Sequence, residues 1–158
     1  ELIKEFEPLA KQNKIELVSK FYPGVTPKIF IDPDKLKKIL GNLLSNAIKY
    51  SPADKKVELS VSMKDKNILF IIKDQGVGIP KKQQKQIFTK FFRGDNVIKM
   101  KTEGTGLGLY IAKALVEGVN GKIWFESKKN TGTIFYISLP VSAPQKMPKT
   151  SEDAKKLI

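Results

Sequence analysis

Two clusters of glycine residues divide this chain and restrict how its helices and strands can connect. The first is DQGVGIP at residues 74–80, where the carboxylate of Asp74 stands beside backbone that carries few side chains. The second is GTGLGL at residues 104–109, which leads from a polar segment directly into a predicted helix. The free N–H groups and the dipole of a helix N-terminus attract anions. A purine fits the first cluster and a phosphate chain the second, so together they predict a nucleotide site closed by a movable segment.

Length and composition favour one globular domain with tails and exclude several chemistries. No apolar run reaches the roughly 18 residues that span a bilayer, and the charged start, residues 1–7, is unlike a secretory signal. We therefore expect a cytoplasmic segment, although its parent protein could be membrane-anchored. Without cysteine there is no disulfide or thiolate catalysis, and without histidine as well a zinc site is not expected.

The formal net charge of +13 raises the possibility of nucleic-acid binding. Of the 29 basic residues, all but Arg93 are lysine, whereas arginine is the usual residue for bidentate recognition of bases and phosphates. The lysines are scattered and form no stripe. They favour an ordinary solvated surface, so we expect no nucleic-acid partner; salt-dependent DNA binding without ATP affinity would favour the alternative.

The helix beginning after Asp32 is the most clearly bounded element. Asp32 can cap it, Pro33 suits the first helical position, and the pair Ser51-Pro52 ends it after Tyr50. Apolar residues recur along it at helical spacing and predict a core-facing side. These residues are Leu36, Ile39, Leu40, Leu43, Leu44, Ala47 and Ile48.

The remaining pattern predicts an α/β layer, with helices on one face of a mixed, mostly antiparallel sheet. Its other elements are a helix at 1–14, extended segments at 15–21 and 28–31, strands at 57–63 and 68–72, a short helix at 81–87, a polar loop at 93–103, a helix from 106 to 120, and strands at 122–127 and 133–139. We divide the chain into an upstream helix (1–14), a central domain (15–140) and a tail or linker (141–158).

Three polar residues share one face of the long predicted helix, because Asn42, Asn46 and Lys49 are spaced by four and three. Amide oxygens can ligate Mg²⁺, and lysine can offset phosphate charge. This face suits a magnesium triphosphate. The alternative is the ordinary polar side of an amphipathic helix.

The two glycine clusters also have ordinary interpretations when each is taken alone. Asp74 is an acceptor that suits the amino group of adenine, and Gly76 and Gly78 would let the ring approach the backbone. The same sequence also forms simple tight turns. The spacing of Gly104, Gly106 and Gly108 differs from the dinucleotide fingerprint and equally fits a flexible hinge before a helix.

An aromatic cluster precedes the polar loop, consisting of Phe88, Phe91 and Phe92. Such clusters usually belong to the core. Since the following loop is too polar to be buried, part of this aromatic surface could instead contact a partner.

Taken in order, these features resemble the catalytic, ATP-binding domain of sensor histidine kinases. Residues 42–51 resemble the N box of that family, 74–80 its G1 box, 88–93 its F box and 104–109 its G2 box. The resemblance extends over about residues 9–140. It implies a two-layer α/β sandwich, the Bergerat fold, with three main helices on one face of the sheet, binding ATP and Mg²⁺ beneath a lid near residues 95–101.

The resemblance also implies roles for individual residues. Asn46 would ligate Mg²⁺ with support from Asn42, Lys49 would contact phosphate, and Arg93 would reach the γ-phosphate. Asp74 would accept from the adenine amino group, and Thr133 would support a water beside it. The implied nucleotide-binding set is Asn46, Tyr50, Asp74, Gly76, Gly78, Ile79, Gly104, Thr105, Gly106, Leu107, Gly108 and Thr133, and the implied catalytic set is Asn42, Lys49 and Arg93.

The reaction expected from this resemblance is transfer to a histidine and not hydrolysis. Related ATPases such as gyrase carry a glutamate where Asn42 stands, and a neutral amide cannot act as a base toward water. Since the chain has no histidine, the acceptor would lie on a dimerisation domain of the same parent, which would be a homodimer and act on a response regulator. We expect the domain alone to be a monomer. Family members usually carry a histidine and two glycines where Val119, Asn120 and Gly121 stand, which changes a helix end and not the site.

Two alternatives stay within the same superfamily. A protein-serine kinase acting on an anti-sigma partner would also need no histidine of its own, although the helix predicted at residues 1–10 argues against it. A degenerate domain used only for interaction is disfavoured by the intact set of Asn46, Asp74 and glycines.

Overall fold

The computed structural model describes residues 2–23, 31–99 and 104–141. The predictions for residues 28–30, for the end of the lid and for the tail after 141 lie outside the described residues. In the described part, no helix has both the length and the apolar character needed to cross a bilayer.

In the described residues five strands form one sheet, and the predicted mixed, mostly antiparallel arrangement is confirmed. The helices are α1 (Leu2–Gln12), α2 (Pro33–Lys49), α3 (Asp95–Lys99) and α4 (Gly108–Glu117), with a short 3₁₀ helix at Lys81–Gln86. The strands are β1 (Glu16–Phe21), β2 (Lys56–Lys64), β3 (Asn67–Asp74), β4 (Lys122–Lys128) and β5 (Gly132–Pro140). Their order in the sheet is β1-β2-β3-β5-β4. Only the β1–β2 pair is parallel; the other three pairs are antiparallel.

The core lies between one face of this sheet and the helices. Alternate residues of the central strands point into it, because successive side chains of a strand face opposite sides. These residues are Val57, Leu59, Val61, Ile68, Phe70, Ile72, Phe135, Ile137 and Leu139. From α2, Leu43, Leu44 and Ile48 are fully buried, and each such side chain contributes about 1.5–3 kcal/mol by leaving water. This packing holds α2 rigidly against the sheet.

The ends of α2 confirm the boundaries expected from the sequence. The Asp32 carboxylate accepts from the N–H of Asp34 at 2.9 Å and caps the first turn, while Pro33 takes the first helical position. At the other end, Tyr50 follows the last helical residue, and the Ser51 hydroxyl donates to the carbonyl of Ala47 at 2.7 Å.

Three local predictions need correction. Helix α4 begins at Gly108, two residues later than predicted, and its regular part ends at Glu117, although the expected left-handed residue is present at Asn120 (φ 57°). The predicted helix at 81–87 is a 3₁₀ helix. The segment predicted as a loop contains α3, whose first turn begins where Val97 and Ile98 donate to the carbonyl of Gly94.

Candidate functional site

One cavity of about 340 Å³ lies between α2, the end of β3, the segment carrying α3, and the N-terminus of α4. It brings together all but one of the residues that the sequence singles out for a nucleotide. Its lining includes Asn42, Asn46, Lys49, Tyr50, Asp74, Gly78, Ile79, Arg93, Gly104, Thr105, Gly106, Leu107, Gly108 and Thr133. Gly76 does not line this cavity.

Asp74 is a buried carboxylate whose two oxygens have different surroundings. Its Oδ1 accepts from the backbone N–H groups of Gly76 at 2.8 Å and Thr133 at 2.9 Å. Within the described residues, Oδ2 receives no hydrogen bond. Burial raises the pKa of Asp74, and the bonds from Gly76 and Thr133 oppose that rise. Asp74 therefore presents one fixed acceptor to the cavity, and Gly76 acts by orienting it.

The glycine turn after Asp74 is clamped from two sides. On one side the N–H of Val77 donates to the carbonyl of Tyr50 at 3.0 Å, which ties the turn to the end of α2. On the other side Gly78 has a positive φ of 62°, and a side chain there would overlap the carbonyl of Lys128 in β4. Only glycine combines this conformation with so close an approach. The turn therefore forms a firmly held floor of the cavity.

Two hydroxyl groups connect this floor to the sheet. Ser127 Oγ accepts from the N–H of Ile79 at 2.8 Å, lies 3.0 Å from the carbonyl of Gly132, and lies 2.9 Å from the hydroxyl of buried Thr133. Gln84 reinforces the same corner by donating to the carbonyls of Ile79 and Ser127.

The α2 wall of the cavity carries amides and a cation. The Nδ2 atom of Asn42 is buried and has no hydrogen-bond partner among the residues that the structure describes. Its Oδ1 lies 3.2 Å from where a Cβ at Gly108 would stand, so α4 packs closely against this side chain. Asn46 and Lys49 follow on the same helical face. This wall offers neutral oxygens and a positive charge.

A metal could be held here only in part by the protein itself. Among residues 2–23, 31–99 and 104–141, no three histidine, cysteine or carboxylate side chains cluster as metal ligands. Amide oxygens such as that of Asn46 fit hard Mg²⁺, which keeps much of its shell as water or phosphate oxygen. The wall therefore fits a magnesium ion that arrives with a polyphosphate.

The N-terminus of α4 forms another part of the cavity lining. Among the residues that the structure describes, no side chain caps this helix, so its first N–H groups are available to an anion. Before it, Thr105 Oγ1 accepts from the N–H of Leu107 at 3.3 Å, and Gly106 has a φ of 72°. A Cβ at Gly106 would lie 2.7 Å from the backbone of Phe91, which fixes this turn against the aromatic segment.

The segment around α3 covers the cavity and contributes residues that the sequence analysis did not identify. Asn96 Nδ2 donates to the carbonyl of Gly78 at 2.8 Å and joins α3 to the glycine turn. Gln83, whose Oε1 is buried, also lines the cavity with Arg93. Neither Gln83 nor Asn96 stands in a pattern that distinguishes it from surface amides. Ser127 could have been recognised from the sequence, because it alternates with Ile123 and Phe125 and therefore shares the less exposed face of β4.

The aromatic cluster divides between core and surface. Phe88 packs edge-on against Phe125 with ring centres 5.9 Å apart, and Phe92 lines the cavity. Phe91, in contrast, is 71% exposed with a φ of 60°. The core interpretation is therefore confirmed for Phe88 and Phe92, which pack against the core, and partner contact by the exposed Phe91 stays a prediction.

Residues 31–143 match the family model described as histidine kinase-, DNA gyrase B- and HSP90-like ATPase. The chain belongs to this family. It is 38% identical over 146 residues to the sensor histidine kinase WalK of Bacillus subtilis, covering 91% of the chain and 24% of that protein. It is 43% identical over 111 residues to the sensor protein kinase WalK of Staphylococcus aureus, covering 69% of the chain and 27% of that protein. The chain thus spans about a quarter of these relatives' length.

Solved structures of histidine kinases share the fold. The catalytic domain of ThkA in a nucleotide-free form matches with a TM-score of 0.74 at 27% identity, over 90% of this chain and 93% of that one. The mycobacterial sensor histidine kinase MprB matches with a TM-score of 0.73 at 28% identity, over 88% and 91%. Full-length ShkA in complex with AMPPNP matches with a TM-score of 0.76 at 26% identity, over 90% and 29%. The architecture is that of a histidine kinase catalytic domain.

Proposed function

We propose that this chain binds ATP with Mg²⁺ in the cavity and supplies the catalytic domain of a sensor histidine kinase. The observation that carries this proposal is the half-satisfied carboxylate of Asp74. Two backbone donors hold Oδ1, and Oδ2 remains an acceptor for the 6-amino group of adenine. ShkA, which shares the fold, was solved with the ATP analogue AMPPNP.

The polyphosphate would extend from this floor toward the uncapped N-terminus of α4. There it would meet backbone N–H groups from the turn of Gly104, Thr105, Gly106 and Leu107 and the positive end of the helix dipole. Lys49 lies on the same cavity wall as Asn46, and Tyr50 adds a hydroxyl near Gly104, 4.0 Å from where its Cβ would stand. These groups would position the phosphates and offset their charge.

In this arrangement Asn46 would ligate Mg²⁺ through its amide oxygen, with Asn42 supporting the metal and the phosphates. Bound Mg²⁺ offsets the negative charge that develops on the transferred phosphoryl group. Arg93 would approach the γ-phosphate from the side of α3, since it lines the cavity there. Transfer would then depend on positioning and charge neutralisation.

The acceptor histidine lies outside this sequence, which contains none. The family relatives are sensor histidine kinases, which favours that reaction over serine phosphorylation. In this interpretation α1 is the end of a dimerisation helix, a homodimeric parent presents its histidine to the cavity, and a response regulator receives the phosphoryl group. Since neither Asn42 nor Asn46 can act as a base toward water, ATP hydrolysis by the domain alone should be slow.

Calorimetric titration with AMPPNP, with and without Mg²⁺, tests the binding half of the proposal. We expect one site of micromolar or weaker affinity that weakens when the metal is removed. Mixing the chain with the histidine-containing dimerisation domain of its parent and labelled ATP tests the transfer half. Label should appear on that histidine and not on the chain itself; absence of AMPPNP binding, or label on serine, would contradict the proposal.

A further inference from the structure

A junction of three hydrogen bonds at Ser127 lies directly behind the purine floor. We propose that Ser127 is a positioning residue that fixes the Thr133 hydroxyl as an acceptor toward the cavity and thereby strengthens selection of 6-amino over 6-oxo purines. This inference rests on the proposed binding of ATP. Ser127 itself does not line the cavity.

The Ser127 hydroxyl has a single proton and three polar neighbours. The backbone N–H of Ile79 can only donate, so Ser127 Oγ accepts at 2.8 Å. The carbonyl of Gly132 can only accept, so the Ser127 proton lies toward it across 3.0 Å. The hydrogen bond between Ser127 Oγ and Thr133 Oγ1, 2.9 Å long, can then have only one donor. Thr133 donates, and Ser127 accepts.

The consequence concerns Thr133, which is buried and lines the cavity beside Asp74. With its one proton given to Ser127, Thr133 Oγ1 keeps only lone pairs for a ligand or a bound water. Its own backbone N–H is held by Asp74 Oδ1 at 2.9 Å. The floor therefore presents two acceptors, Asp74 Oδ2 and Thr133 Oγ1.

Two acceptors discriminate between purines by the group at position 6. The amino group of adenine donates to such a floor from position 6. The oxo group of hypoxanthine needs a donor at that position and finds none on these two side chains, and its own N1–H donor lies one ring position away. Without Ser127, the Thr133 hydroxyl could rotate and donate toward a 6-oxo group. Burial increases the resulting difference in affinity between the two purines, because an unpaired polar group is costly where water is excluded.

The test compares ATP and ITP, which share their phosphates and differ on one edge of the base: adenine has a 6-amino donor and an N1 acceptor, and hypoxanthine has a 6-oxo acceptor and an N1–H donor. Dissociation constants for both nucleotides with Mg²⁺ are measured for the unmodified chain, Ser127→Ala, Thr133→Val and the double variant. Ser60→Ala serves as the matched control, since Ser60 is a buried strand serine outside the cavity lining whose hydroxyl donates to Glu58. We expect Ser127→Ala to lower the preference for ATP over ITP about three- to tenfold, and Ser60→Ala to leave it unchanged.

The double variant separates positioning from support of the fold. Ser127→Ala also removes the acceptor for the N–H of Ile79. This loss should weaken the binding of both nucleotides alike and leave the ratio of their dissociation constants unchanged. If Ser127 acts through Thr133, adding Ser127→Ala to Thr133→Val changes the ratio no further. A change of equal size in both backgrounds, or an unchanged ratio in Ser127→Ala, would overturn the inference. A failure of the unmodified chain to bind ATP would instead contradict the proposed function.

A neutron structure of the unmodified chain provides a second test that needs no variant. The deuteron of Thr133 should lie between Oγ1 and Ser127 Oγ, and that of Ser127 should point to the carbonyl of Gly132. A Ser127 deuteron directed at Thr133 would refute the inference even if Ser127→Ala failed to fold.

Discussion

Replacing Asp74 with asparagine should reverse the base preference of the cavity without unfolding the domain. Oδ1 of Asp74 accepts from the N–H groups of Gly76 and Thr133. In Asp74→Asn these same two donors require the amide oxygen, because an amide nitrogen cannot accept from them. The new NH₂ group must therefore occupy the place of Oδ2 and face the base as a donor.

The magnitude follows from the exchange of one group. ATP loses a hydrogen bond to a charged acceptor, worth about 1.5–3 kcal/mol, and its amino group then meets another donor at a cost of about 1 kcal/mol or more. A total of about 2.5–4 kcal/mol corresponds to roughly 60-fold to 700-fold weaker binding. ITP gains a donor for its 6-oxo group and should bind severalfold more tightly. The preference for ATP over ITP should therefore invert.

Calorimetric titration of both nucleotides, together with thermal unfolding, measures this prediction. Asp65→Asn is the matched control, because Asp65 is an exposed carboxylate in the turn between β2 and β3 and the substitution changes the net charge equally. Asp65→Asn should leave both affinities unchanged. A folded Asp74→Asn variant that kept the wild-type preference, or lost both nucleotides in equal proportion, would refute the reasoning.

Three further predictions follow from the same geometry. Burial raises the pKa of Asp74, so the preference for ATP over ITP, measured across pH, should fall as the pH is lowered through that pKa and the carboxylate gains a proton. The preference should not change with pH in Asp74→Asn. A preference that is independent of pH in the unmodified chain would contradict this prediction. In the intact parent kinase, Arg93→Ala should reduce phosphoryl transfer about 100-fold or more while ATP affinity changes little, whereas equal losses in both assays would remove the γ-phosphate role. Gly78→Ala should lower the free energy of unfolding by about 1–3 kcal/mol, because its side chain would overlap the carbonyl of Lys128 at a φ of 62°; denaturant unfolding with wild-type stability would show that the turn is not so tightly clamped.

Features determined by neighbours in the sequence were predictable. The cap at Asp32, the proline after it and the apolar spacing of α2 specify that helix almost completely. The alternation in β2, β3 and β5 likewise predicts which strand residues reach the core. The glycine clusters indicated two parts of the cavity lining because backbone conformation and close approach are local requirements of glycine.

Features that depend on distant segments were not predictable. The bond between Ile79 and Ser127 joins residues 48 positions apart, which meet because β5 pairs with both β3 and β4. Helix α3 is stabilised by contacts such as that of Asn96 with Gly78, not by an apolar period of its own. Gly76 was placed at the ligand surface by sequence spacing, whereas the structure uses its N–H to hold Asp74 from outside the cavity lining.

A crystal structure of the chain with AMPPNP and Mg²⁺ is the most direct test of a single pocket serving base and phosphates together. We expect the 6-amino group within hydrogen-bonding distance of Asp74 Oδ2, the phosphates at the N-terminus of α4, and the metal on the amide oxygen of Asn46. Nucleotide bound at another surface, or an adenine ring turned away from Asp74, would contradict this arrangement.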